Sequence, residues 1–326
     1  MLVNYFFVAL GAFSGGILFI FLFKKFALKY KFLIPQGIPL IGGISMGLSF
    51  ILACLGSSFL ACNLSPQIIG IIIASFLILF FGVIDDLLNL SVVAKFLVQI
   101  IATSLLILFG IKTQIVSIGY TINIVITFIW VIGITNALNH LDVMDGLAAG
   151  AALIGSIGLF VISLLNGDIK SATLAIALTG AVFSFLIYNL PPAKIYMGNS
   201  GSHFLGFILS AVALLISYAP LERKSSLFCP LFILGLPIFD TAFLILVRVK
   251  NGRSAFKKSD DHLALRFLKI GYSKNKALVS MLSFGLFFSI LGICLSRVSI
   301  WLGIIIIVLT TLVNLVLATK MSKVTI

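Results

Sequence analysis

Long apolar runs separated by short polar breaks follow one another from end to end of the chain. Eleven of them predict helices able to cross a bilayer: residues 3–23, 40–61, 67–84, 92–110, 121–138, 147–165, 171–189, 202–218, 227–247, 277–295 and 299–319. About 20 apolar residues in a helix cross the hydrocarbon core once, and these runs approach that length. Composition points the same way. Apolar residues make up 61% of the 326, charged residues 10%, and mean hydropathy is +1.26. A soluble domain carries about 25% charged residues. The pattern excludes a water-soluble globule, a disordered chain and a secreted disulfide scaffold. The expected fold is an all-α polytopic membrane protein of about eleven transmembrane helices. Residues 1–326 form a single integral membrane domain, since no loop has the length of a separate soluble unit.

Charge orients the spans. The net charge of +13 does not imply nucleic acid, because basic residues of membrane proteins gather in cytoplasmic loops. Lys24, Lys25, Lys29 and Lys31 follow the first apolar run instead of preceding it, and no A-x-A site appears, so this run reads as an anchor and not a cleavable signal. The N-terminus then faces outward and the C-terminus lies in the cytoplasm. Alternation places 17 basic residues inside and 5 outside, with 9 of the 17 in a cytoplasmic loop over 248–276. The four cysteines (Cys54, Cys62, Cys229, Cys294) show no metal-binding spacing and read as small apolar packing residues.

The nine acidic residues are informative by their placement. Asp168 and Glu222 fall in outer loops. Asp85, Asp86, Asp142, Asp145, Asp240, Asp260 and Asp261 all fall at the cytoplasmic side or in the cytoplasmic half of a span. Carboxylates near the hydrocarbon boundary are costly, so they tend to be paired or functional. Several on one face suggest a divalent cation, and a cation attracts phosphates. Asp85-Asp86 ends the third run, an arrangement that interfacial polarity alone could also produce. Lys95 and Gln99 follow on one helical face; Lys95 could snorkel to headgroups or hold a phosphate. Asn136, Asn139, Asp142 and Asp145 recur every three residues, so neighbours are expected to meet across one helical turn. After two prolines, Met197-Gly198-Asn199-Ser200-Gly201-Ser202 forms a Gly/Ser-rich turn before the next span, where free N–H groups would favour an anion. Asp240 lies within its span, where an intramembrane acid serves either chemistry or a helix–helix hydrogen bond.

Taken together, Gly82-x-x-Asp85-Asp86, Asn136-x-x-Asn139-x-x-Asp142-x-x-Asp145-Gly146 and Met197-Gly198-x-Ser200-Gly201-Ser202 resemble, in order, the motifs of the polyprenyl-phosphate N-acetylhexosamine-1-phosphate transferases, relatives of the phospho-MurNAc-pentapeptide translocases. The resemblance runs from Pro39 to Ser273. It implies transfer of a HexNAc-1-phosphate, with GlcNAc-1-phosphate favoured, from a UDP-sugar to undecaprenyl (polyprenyl) phosphate. UMP is released, Mg²⁺ (or Mn²⁺) is required, and the work is done at the cytoplasmic face of a bacterial inner membrane. The partners it implies are UDP-HexNAc, the polyprenyl phosphate and membrane lipids, with a homodimer compatible and no nucleic acid. It assigns catalysis to Asp85, Asp86, Asp142 and Asp145. Substrate binding falls to Lys95, Asn139, Asn189, Tyr196, Arg248 and His262, and metal ligation to Asp85, Asp142 and Asn199. Two departures stand out. Asn199 occupies the place of the usual Met-Gly-Asp aspartate, removing one negative charge. The usual His-x-His-His loop reads His262-Leu263-Ala264-Leu265, which argues against a MurNAc-pentapeptide donor. A non-catalytic paralogue that binds the same ligands and a multi-span transporter are the alternatives; the gathering of acids on one face disfavours the transporter.

Overall fold

This computed structural model describes residues 2–34, 37–57, 65–216, 218, 224–253 and 261–324. Among them are helices and connecting turns, with no strand. The helices are α1 (Leu2–Tyr30), α2 (Gly42–Gly56), α3 (Pro66–Leu88), α4 (Val92–Leu108), α5 (Gly119–Leu141), α6 (Leu147–Leu165), α7 (Ile169–Asn189), α8 (Gly198–Leu215), α9 (Cys229–Ile233), α10 (Gly235–Lys250), α11 (Leu263–Lys269), α12 (Lys274–Leu295) and α13 (Ile300–Ser322). Eight of these, α1, α3, α5, α6, α7, α8, α12 and α13, are long and apolar enough to cross a membrane. The chain is therefore a multi-pass membrane protein. The apolar helices α2 and α4 are shorter, at 15 and 17 residues.

The run expected as one span over 227–247 is broken. Its two pieces, Ser225–Ile233 and Gly235–Lys250, meet at 78°. Pro237 supplies the reason: it has no N–H for the carbonyl of Ile233 four residues earlier, and its ring crowds that carbonyl. Five helix starts elsewhere, those of α3, α4, α7, α12 and α13, follow ordinary capping. The hydroxyls of Ser65, Ser91, Ser273 and Ser299 and the carboxylate of Asp168 each accept a first-turn N–H.

α8 is the hub. Buried residues make up 78% of its most apolar window, against 22% for α1 and 11% for α13, which ring the outside. Its small side chains let neighbours approach, as membrane helix packing requires. A Cβ on Gly82 of α3 would lie 2.4 Å from Ser200 Cα, and one on Gly43 of α2 would lie 2.3 Å from Gly201 N. The entry to α8 is further fixed from α2: Gly42 N–H and Gly43 N–H donate to the carbonyls of Tyr196 and Met197, and Tyr196 N–H donates to Pro39 O. The Gly/Ser stretch expected as a turn before a span starting at 202 is thus already the first turn of α8. Cys54 and Cys229 are buried and Cys294 is exposed; Cys62 and Asp260 lie outside the described residues.

Candidate active site

Alternating helix directions bring the ends of α3, α4, α5, α6, α7 and α8 to one face of the bundle, and the acids of the sequence motifs come with them. Asp86, in the last turn of α3, accepts hydrogen bonds from Asn199 N–H (2.6 Å) and Ser200 N–H (3.1 Å). These are first-turn donors of α8 with no partner inside the helix, at its positive dipole end. The anion site that the Gly/Ser motif offers is filled by the chain's own carboxylate. Asp85 is buried beside it. Its Oδ2 lies 2.7 Å from Lys95 Nζ at the start of α4, and its Oδ1 accepts from Leu90 N–H at 2.8 Å. Lys95 therefore faces Asp85, which ties it into the acidic cluster.

The Asn/Asp series divides. Asn136 and Gln99 exchange amide hydrogen bonds between α5 and α4, at 2.8 and 3.4 Å. Asn139 Nδ2 donates instead to Asn199 Oδ1 (3.2 Å) and Ser202 Oγ (2.9 Å) on α8. α5 ends at Leu141, so the helical periodicity expected across all four residues stops there, and Asp142 and Asp145 stand on the turn into α6. Asp145 Oδ2 accepts from Ala193 N–H at 3.1 Å. Asp142 is exposed on that turn. The protein crowded around its carboxyl group, followed by the negative charges of Asp145 and Asp86, pushes its pKa up to about 7.

The remaining sequence candidates fall around this core. Asn189 is buried, with Oδ1 accepting from Gly146 N–H (2.9 Å) and Nδ2 donating to Ile195 O (3.0 Å). Its amide thereby ties the end of α7 to the start of α6 and to the 190–197 connection. Tyr196 is half-buried on that connection. Arg248 is buried near the end of α10, and His262 begins α11 with Nδ1 2.9 Å from Asp240 Oδ2. His140 lies near enough to His262, Arg248 and Asp240 to feel their charges, and it acts in turn on His203, which feels Lys95 and Asp85. Part of the basic loop, residues 254–260, lies outside the described residues.

Two features escape the sequence motifs. His203, one turn after Asn199, is buried with Nδ1 3.0 Å from Asn199 O. With Asp85, Lys95 and Gln99 it lines a cavity of about 20 Å³, room for one water. Its helical spacing from Asn199 was the available signal. Arg266, buried on α11, donates to Asp261 Oδ1 (3.0 Å), Met321 O (2.9 Å) and Val324 O, tying α11 to the end of α13. A larger cavity of about 550 Å³, lined by Gln67, Gly110, Trp130 and Tyr218, lies at the opposite end of these helices.

The Asp85–Lys95 pair gives a direct test. Asp85 keeps 3% exposure and Lys95 29%. Removing one member of such a pair leaves a buried charge unpaired, at a cost of about 3 kcal/mol. Lys95→Met is expected to lower the midpoint of thermal unfolding in detergent. Adding Asp85→Asn is expected to restore it without restoring function. A K95M protein as stable as the parent contradicts the pairing.

The sequence profile described as "Glycosyl transferase family 4" matches residues 68–217, the stretch that carries Asp85 through Ser202. A Bacillus subtilis protein named probable undecaprenyl-phosphate N-acetylglucosaminyl 1-phosphate transferase is 32% identical over 277 residues, covering 82% of this chain and 76% of that one. The decaprenyl-phosphate N-acetylglucosaminephosphotransferase of Mycobacterium tuberculosis H37Rv is 30% identical over 279 residues, covering 74% and 68%. The phospho-N-acetylmuramoyl-pentapeptide-transferase of Shouchella clausii is 26% identical over 290 residues, covering 82% and 85%.

Proposed function

The chain belongs to glycosyl transferase family 4, and from that membership we propose that it transfers an N-acetylhexosamine 1-phosphate, with GlcNAc 1-phosphate favoured, from a UDP-sugar to undecaprenyl or another polyprenyl phosphate. One observation carries the reading. Helix ends distant in sequence converge so that Asp86 bonds Asn199, Asn199 bonds Asn139, and Asp142 feels the charges of Asp86 and Asp145. In the reaction, an oxygen of the lipid phosphate bonds to the β-phosphorus of the donor. The bond from that phosphorus to the bridging oxygen breaks, and UMP leaves with the bridging oxygen. Such a transfer asks the protein mainly for positioning and charge neutralisation.

Among the described residues, no three His, Cys, Asp or Glu side chains stand close enough to hold a metal by themselves. Mg²⁺, however, is commonly bound by one or two carboxylates together with substrate phosphates. The crowded, like-charged carboxylate of Asp142 and the side-chain oxygen of Asn199 suit that shared mode, with Asp85 as a further candidate. Mg²⁺ bound there would supply charge neutralisation for a diphosphate. Asp86 holds the start of α8, Asn139 orients Asn199, and Lys95 balances Asp85. Arg248 and His262 supply positive or hydrogen-bonding groups for the diphosphate, and Tyr196 offers a ring to the uracil.

We place this face in the cytoplasm at the inner membrane. The two shorter apolar helices and the bent pair are taken as further crossings, making eleven in a single domain with the N-terminus outside. The 17-to-5 distribution of basic residues supports that orientation. Purified protein with undecaprenyl phosphate and a panel of UDP-sugars, with and without Mg²⁺, tests the reading. Metal-dependent UMP and lipid-linked sugar are expected, and UDP-sugar binding without either product would favour a non-catalytic binder. Asn199→Asp adds back one negative charge while still accepting from Asn139. It is expected to lower the Mg²⁺ concentration giving half-maximal activity. An unchanged metal titration would remove Asn199 from the ligand set.

A further inference from the structure

Asp240 belongs to none of the roles above, yet its surroundings are specific. It is 1% exposed in α10, and each carboxylate oxygen meets one nitrogen across the gap to α11. Oδ1 accepts from Leu263 N–H at 3.0 Å, and Oδ2 lies 2.9 Å from His262 Nδ1. His262 is itself 5% exposed and heads α11, whose first turn includes Leu263. A carboxylate in its ionised form only accepts hydrogen bonds, and opposite that form the proton of this contact sits on Nδ1. Asp240 thus fixes both the backbone that carries the histidine and the orientation of its ring.

We infer that Asp240 is a positioning residue that holds His262 with its Nδ1 proton turned inward, so that Nε2 is the nitrogen offered to the diphosphate of the nucleotide sugar. The kinetic part rests on the transferase reading; the tautomer does not. The charged and titratable groups around this pair are His140 from α5, Arg248 from α10, and Asp261 and Arg266 from the neighbourhood of α11. Arg266 is engaged with Asp261 and the end of α13, and Arg253 also pairs with Asp261. Asp240 is hydrogen-bonded to the imidazole at 2.9 Å. A carboxylate behind a metal-ligating histidine fixes its tautomer and raises its basicity, and losing that partner costs roughly 10–100-fold; the same geometry behind His262 gives the scale expected here.

Asp240→Asn makes a specific prediction. A backbone N–H cannot become an acceptor, so the asparagine oxygen stays on Leu263 N–H. The amide NH₂ then faces His262 Nδ1, which must give up its proton, and the neutral tautomer inverts. The full chain has only three histidines, so ¹⁵N-histidine labelling in detergent yields few ring signals, with those of His262 identified by their loss in His262→Gln. At a pH where the ring is neutral, the parent protein is expected to show a protonated Nδ1 and an unprotonated Nε2, and D240N the reverse. In the transferase assay D240N is expected to lower kcat/KM roughly 10–100-fold, chiefly by raising KM for the UDP-sugar. In an H262Q background D240N is expected to add no further loss, since Asp240 acts through the imidazole. H262Q, whose amide reaches the Nε2 position, is expected to keep more activity than H262N, whose amide reaches only Nδ1.

An unprotonated Nδ1 in the parent overturns the inference, whether or not D240N folds. So does a D240N tautomer identical to the parent's, a loss in the H262Q background as large as in the parent, or H262N outperforming H262Q. A parent protein that makes no lipid-linked sugar sinks the transferase reading instead, and the ring signals still decide whether Asp240 sets the tautomer.

Discussion

Alanine at Asp142 silences transfer and leaves the protein as stable as before, or more so. The two halves of this expectation have one cause. The side chain of Asp142 accepts no hydrogen bond within the described residues; the protein crowded around it, and then the negative charges of Asp145 and Asp86, raise its pKa to about 7. Removing a carboxylate held in repulsion relieves the folded state. Under the transferase reading, the cluster meets a positively charged or metal-bound ligand, which offsets that repulsion. Loss of a preorganised electrostatic group of this kind typically costs ~10²–10³ in rate. UMP release by purified D142A is expected to fall by about that factor. Its thermal unfolding midpoint in the absence of substrate and metal is expected to be unchanged or higher. A D142A protein with full transferase activity would remove Asp142 from the site; one that unfolds far earlier would show a structural role instead.

Gly82→Ala should damage function through packing. A Cβ there would lie 2.4 Å from Ser200 Cα and 3.0 Å from Ser200 N, both backbone atoms of the hub helix that cannot swing aside. α3 and α8 would have to move apart. Overpacking a closely packed interior costs about 1–3 kcal/mol. The same movement pulls Asp86 from the N–H groups of Asn199 and Ser200, which it meets at 2.6 and 3.1 Å. G82A is therefore expected both to unfold at lower temperature and to lose most of its transferase activity, beyond what the stability loss explains at a temperature where it remains folded. Gly11, with no atom within 4 Å of its added Cβ, serves as the comparison: G11A is expected to match the parent in both assays. Equal behaviour of G82A and G11A would contradict the close approach of α3 to α8.

These expectations show what the sequence makes legible. Apolar runs reveal helices because burial in hydrocarbon leaves a strong, local compositional trace. The spacing of Asp85, Asp86, Asn139 and Asn199 likewise places polar groups at helix ends, since a carboxylate deep in the bilayer is too costly to be common. What each polar group binds is set by helices far apart in the chain. Nothing local to Asn136 tells that it turns to Gln99, or that Asn139, one turn later, turns to Asn199. The Gly/Ser stretch looks like a loop because small residues are needed wherever helices touch closely, and here they open a helix buried by its neighbours. The break before Gly235 was legible in principle through Pro237, but the apolar run across it masks the proline. His203 and Asp240 lacked any motif of their own; their burial and partners give them meaning.

Following the β-phosphate of the donor tests the central proposal most directly. UDP-GlcNAc carrying ³²P in its β-phosphate is incubated with purified protein, undecaprenyl phosphate and Mg²⁺, and the products are partitioned between water and organic solvent. The proposed transfer moves the label into the organic phase as a diphosphate-linked lipid sugar, with one unlabelled UMP released for each label transferred. Label that remains in water, as intact donor, UDP or free sugar phosphate, would contradict it.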